Sequence, residues 1–79
     1  MSWCVYILEC ADKTLYTGIT NDLDRRIQMH EQGTGAKYTK GRGPFKLKYQ
    51  ESFEDRSAAS KREWAIKKLS REEKSALII

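Results

Sequence analysis

The sequence predicts an α+β domain: a small three-stranded, mainly antiparallel sheet flanked by helices in the order β-β-α-β-α-α. Three observations point there. Trp3–Cys10 and Thr14–Ile19 are both β-prone and only a short polar turn separates them, which marks a hairpin. Apolar residues recur at helical spacing in two later stretches. Between those stretches Phe45, Leu47 and Tyr49 alternate with Lys46 and Lys48, the period of a strand with one wet face.

Taken in order, Trp3–Cys10 carries Glu9 as its only charge and reads as a strand buried on both faces. Ala11-Asp12-Lys13 is a turn. With a three-residue loop Cys10 faces Thr14, and Tyr6 and Tyr16 share a sheet face; a two-residue loop would separate them. Asn21 or Asp22 caps a helix over about residues 22–32. Asp22 and Asp24 suit its positive end, and Gly33 stops it. Leu23, Arg26, Ile27 and His30 fall on one face of that helix, so a guanidinium and an imidazole sit on or beside the face that meets the sheet. Residues 33–44 form a loop holding four of the five glycines. After the third strand, Ser52, Asp55 or Ser57 opens a second helix running to about Leu69. Ser70-Arg71-Glu72-Glu73 is a capping-box pattern that starts a third helix over residues 71–78. No repeat or linker interrupts the chain, which reads as a single domain over residues 1–79.

Composition narrows the function classes. With 79 residues the core is thin, because a chain of this size buries only about 60 % of its unfolded surface. A hydrophobic share of 39 % with 33 % charged residues fits a globular domain rather than a disordered chain. No apolar run approaches the roughly 20 residues of a membrane span, and the first residues lack the basic region of a secretory leader. Cys4 and Cys10 are six positions apart in one extended run, roughly 20 Å, which is beyond disulfide reach. They read as free buried thiols in a reducing compartment, the cytoplasm by default. The single histidine argues against zinc. A net charge of +4 favours polyanionic partners. Its distribution is more informative: from Gly33 to Tyr49 there are five basic residues and no acidic one. Lys37, Tyr38, Lys40 and Arg42 therefore read as a nucleic-acid contact rather than a plain surface connection.

Five side chains carry the chemistry. Ala59, Glu63 and Ile66 share a helix face, and a carboxylate there is costly unless it is paired or binds a metal. Glu63 is thus either an ion-pair partner, for Lys67 or for the first helix, or a ligand for a hard cation such as Mg²⁺. Arg26 and His30 are i, i+4 neighbours. Either they form a solvated basic edge, as Arg25 does, or Arg26 forks onto a phosphate and His30 moves a proton or holds that phosphate. Tyr6 and Tyr16, taken alone, read as aromatic packing. A phenol with a pKa near 10 is a poor base at neutral pH unless a cation lowers it. Gly18 lets a backbone or a ligand approach closely.

In sequence order, Val5-Tyr6-Ile7, Tyr16-Thr17-Gly18, Arg26, His30 and Glu63 resemble the GIY-YIG endonuclease domain. The Gly33–Pro44 loop and the Arg62–Ser70 run are more similar still to the small bacterial UPF0213 branch, which is related to the nuclease subunit of eukaryotic structure-specific endonucleases. The likeness spans Trp3 to Leu77. It implies a one-metal phosphodiester hydrolase whose side chains converge on one cleft. Tyr6 and Tyr16 take the motif tyrosines, one of which activates the attacking water. Arg26 stabilises the pentacovalent phosphate, His30 assists, and Glu63 holds Mg²⁺ or Mn²⁺. The implied partner is nucleic acid, DNA ahead of RNA, read through shape and backbone more than through sequence. Gly18 and the basic loop lie on its path. The first motif lacks its glycine, the second reads Tyr-Thr-Gly, and Asn21 is the only asparagine, whereas several family nucleases carry one downstream of the glutamate. These departures lead us to expect weak or partner-dependent cutting. Two alternatives use the same scaffold: a non-catalytic nucleic-acid-binding module, and an interaction domain in a repair complex.

Overall fold

The computed structural model describes residues 2–78. Three strands and three helices follow in the expected order: β1 (Trp3–Glu9), β2 (Leu15–Thr20), α1 (Leu23–Glu31), β3 (Lys46–Phe53), α2 (Arg56–Lys67) and α3 (Arg71–Leu77). The sheet order is β2-β1-β3, and both pairings are antiparallel. The central strand β1 buries Val5, Tyr6, Ile7 and Leu8 completely, as an apolar run covered on both faces must.

The hairpin loop has three residues. The Cys10 amide donates to the Thr14 carbonyl at 2.8 Å, and Lys13 closes the turn at φ 69°, a left-handed conformation uncommon outside glycine. That loop length sets the register Tyr6 opposite Gly18 and Leu8 opposite Tyr16. Both motif tyrosines therefore point to one face.

Each face has its own core. Val5, Ile7, Ala59 and Ile66 form one, sealed by Phe53, Leu77 and their neighbours from β3 and α3. Tyr6, Leu8, Cys10 and Phe45 form the other, with Leu23 and Ile27 of α1. Helix α1 thus covers one face and α2 with α3 the other. Side-chain caps start all three helices: Asp22 accepts from the Arg25 amide, Asp55 from the Ala58 amide and Ser70 from the Glu73 amide. The expected capping box at Ser70 is complete.

Some expectations need correction. The third strand runs on to Phe53, and of the three candidate starts for the second helix Asp55 is the cap. Phe45, Leu47 and Tyr49 do not share one face. Ile7 pairs with Tyr49 while Leu8 pairs with Leu47, so Lys48 is an extra residue in the ladder. This β-bulge reverses the side-chain alternation. Leu47 then lies on the α1 side and Tyr49, Glu51 and Phe53 on the α2 side. The thiols are free, but only Cys10 is buried; Cys4 is half-exposed.

Candidate active site on the helix α1 face of the sheet

Tyr6 stands at the middle of the central strand and is wholly buried. Its hydroxyl lies 2.8 Å from His30 Nε2. A Cβ at Gly18, across the ladder, would fall 2.6 Å from that hydroxyl, so the missing side chain makes room for Tyr6 itself. What approaches Gly18 closely is this phenol. Helix α1 aims His30 inward at 1 % exposure, not along a solvated edge. Arg25, one turn back, is exposed as expected.

The other nitrogen of His30, Nδ1, is 2.8 Å from Thr39 Oγ1, a loop residue with no exposed surface. Gly35 of the same loop lies so close that a Cβ there would fall 2.6 Å from His30 Nδ1. The Gly-rich loop therefore turns one side inward to close over His30 and the other outward. On the outer side Lys37 and Lys40 are exposed, and Tyr38 is 45 % exposed. Tyr38 stacks on Tyr16 with centroids 5.8 Å apart, and the Arg42 guanidinium sits 4.7 Å above the Tyr38 ring. Arg42 also pairs with Asp12, so part of its charge is neutralised within the protein.

Tyr16 joins the same cluster, its ring 6.3 Å from Tyr6 and 5.1 Å from His30. It is only partly buried. With Leu15, Thr17, Tyr38, Lys67 and Lys74 it lines a groove of about 390 Å³ that crosses the edge strand β2. Arg26, half-buried in α1, completes the cluster. Its Nε is buried without an acceptor, as is Thr17 Oγ1.

The electrostatics follow from burial. Desolvation pushes the Tyr6 phenol up to about 12, against the pull of the neighbouring Arg26. Desolvation, and then Arg26, hold the His30 imidazole below its ordinary value, so it is neutral at pH 7. An uncharged imidazole, a protonated phenol and an arginine with a free donor make a site that lacks an anion.

Glu63 is not in contact with this cluster. It belongs to α2, on the opposite face, and its carboxylate lies 3.4 Å from Lys67 Nζ. The Lys67 ion pair anticipated for it is present. Lys67 lines the groove that Tyr16 faces, so the pair reaches the groove's rim. Among the described residues no three His, Cys, Asp or Glu side chains are grouped to hold a metal. None of the described helices is long and apolar enough to cross a membrane. Sequence reasoning missed Thr39. A threonine between lysines carries no signal of its own; only the glycines around it hinted that the loop packs closely on something.

Two phenols, an imidazole and a guanidinium thus lie on one face of a β-β-α-β-α-α sheet. The GIY-YIG catalytic domain model matches residues 2–76, and the chain belongs to that family. It is 58 % identical over 74 residues to the UPF0213 protein CPE1444 of Clostridium perfringens, covering 94 % of this chain and 80 % of that one. Against the UPF0213 protein OB0043 of Oceanobacillus iheyensis the identity is 57 %, over 94 % of this chain and 86 % of that protein. The solution NMR structure of the UPF0213 protein BH0048 from Bacillus halodurans superposes with a TM-score of 0.64 at 50 % identity, over 99 % and 83 % of the two chains. That of EF2693 from E. faecalis gives 0.65 at 43 %, over 94 % and 79 %. Membership supports a nuclease-type function.

Proposed function

We propose that this chain is a metal-dependent phosphodiester hydrolase that cuts DNA at structural features such as branches, nicks or flaps, in the course of repair or recombination. The observation that carries the reading is the gathering of Tyr6, Tyr16, His30 and Arg26 around a buried guanidinium donor with no protein acceptor. A phosphate oxygen is the acceptor whose geometry suits a guanidinium fork. Arg26 binds it and offsets the charge that builds up in the transition state. Tyr16 is the better placed of the two phenols to meet the attacking water, because it lines the groove while Tyr6 is buried. Tyr6 and His30 hold the site's shape from within.

Glu63 fits a Mg²⁺ or Mn²⁺ ion. Such an ion keeps most of its waters and takes one or two carboxylates, so the absence of a three-ligand cluster among the described residues agrees with it. The partner Lys67 has a side chain 53 % exposed, and an i, i+4 pair of this kind contributes only about 0.3–0.5 kcal/mol. A cation at the carboxylate and a phosphate at the lysine displace that pair at small cost. When bound, the ion would polarise the phosphate and raise the acidity of a coordinated water.

Nucleic acid is the partner class that the family and the charge support, with DNA ahead of RNA. Lys37, Tyr38 and Lys40 contact the strand beside the groove. Free thiols suit the cytoplasm. The test is cleavage of branched, nicked and flap DNA with Mg²⁺ or Mn²⁺ by the parent, Glu63→Ala and Arg26→Ala. Parent-only cutting supports the reading; equal cutting by all three identifies a contaminant. One observation favours a second reading, a binding module without catalysis: the Glu63 carboxylate is held by a lysine. In that case none of the three cuts, yet all bind.

A further inference from the structure

Thr39 is wholly buried, sits nine residues from His30 in the loop and touches none of the groove. It nevertheless decides the direction of the hydrogen bonds at the centre of the site. Its hydroxyl lies 3.0 Å from the Ala36 carbonyl oxygen, to which it donates. A hydroxyl has one proton, and a carbonyl oxygen can only accept. The Ala36 carbonyl also accepts from the Thr39 amide at 3.2 Å and has a second lone pair for the hydroxyl. With the Thr39 proton turned to Ala36, Oγ1 meets His30 Nδ1, 2.8 Å away, with a lone pair. In that arrangement Nδ1 is the nitrogen that carries hydrogen. In a neutral imidazole the other nitrogen is then bare. His30 Nε2 accepts, and Tyr6, 2.8 Å away, donates.

We infer that Thr39 is a positioning residue that holds His30 as the Nδ1–H tautomer, so that Tyr6 donates its phenolic proton inward to Nε2. The inference deepens the nuclease reading by fixing which way the protons of that site point. The chain runs Tyr6 O–H to His30 Nε2, His30 Nδ1–H to Thr39 Oγ1, and Thr39 O–H to the Ala36 carbonyl. With its proton turned inward, the Tyr6 oxygen presents lone pairs toward Arg26. Gly35 is the second support: it lets the loop backbone close on the imidazole edge, where any larger residue would push Nδ1 away from Thr39.

The test needs no catalysis. The chain has one histidine, so its imidazole nitrogens give one unambiguous pair of ¹⁵N signals. At pH 7.5 the parent is expected to show a protonated Nδ1 and a bare Nε2. Thr39→Val, which keeps the shape and removes the acceptor, shifts the population to Nε2–H, and Thr39→Ser restores the parent pattern. A parent spectrum with Nε2 protonated overturns the inference. So does a folded Thr39→Val with the parent tautomer. If the valine variant does not fold, the parent and serine spectra still decide it. A parent that does not cut DNA, with the spectra as expected, sinks the nuclease reading alone.

Discussion

At the scale of single residues, the site is built from groups that stand in for one another's missing space and charge. Gly18 has no side chain because Tyr6 occupies its place. Gly18→Ala drives a methyl to 2.6 Å from the phenol oxygen and is expected to cost about 1–3 kcal/mol, seen as a lower urea midpoint. The buried titrating groups give a pH dependence with two arms. His30 is depressed, so the folded state resists its protonation and loses stability as pH falls below 6.5. Tyr6 is raised, so its contribution is intact below 10 and is lost as pH climbs from there to about 12. Urea midpoints between pH 7 and 5 should fall in the parent and much less in His30→Gln. The two tyrosines, Arg26 and His30 were legible in the sequence because hairpin parity and helix spacing are fixed by backbone periodicity. The His30–Thr39 contact was not, because a glycine-rich loop has no period to read.

At the scale of elements, alternation and capping explain most of the chain. The hairpin, α1, α2 and α3 followed from short-range signals: a polar turn, Asp22, a choice that included Asp55, and the Ser70 capping box. The third strand was misread at one point. Alternation assumes an unbroken ladder, and the extra Lys48 breaks it, so that Tyr49 and Phe53 join the core on the α2 side while Leu47 turns to the other face. A bulge leaves no mark in a strand rich in lysine. Deleting Lys48 leaves Leu47 and Tyr49 on the faces they already occupy, whereas deleting Gln50 turns either Tyr49 or Glu51 and all beyond it to the wrong side. The first deletion is expected to fold with a near-parent circular dichroism spectrum and urea midpoint. The second is expected to lower that midpoint steeply or to abolish the cooperative transition.

At the scale of the whole molecule, two helix layers on a thin sheet divide the labour. One face gathers the phenols, imidazole and guanidinium, and the other carries Glu63. The groove over the edge strand β2 joins them through Tyr16 and Lys67. Convergence of all five groups on one cleft was an implication of the family resemblance; spacing alone left Glu63 open, because it cannot tell which side of a sheet a later helix will cover. The basic outer side of the loop predicts DNA binding dominated by phosphate contacts. The logarithm of the association constant should fall linearly with that of salt, and Lys37→Ala with Lys40→Ala should reduce the slope by about 2. An unchanged slope removes the loop from the interface.

The most direct measurement is a crystal structure of the protein with Mn²⁺, located by its anomalous signal. The ion is expected at the Glu63 carboxylate, on the rim of the groove that holds Tyr16, with Lys67 displaced. An undisturbed Glu63–Lys67 pair with the ion absent or bound elsewhere would contradict that expectation.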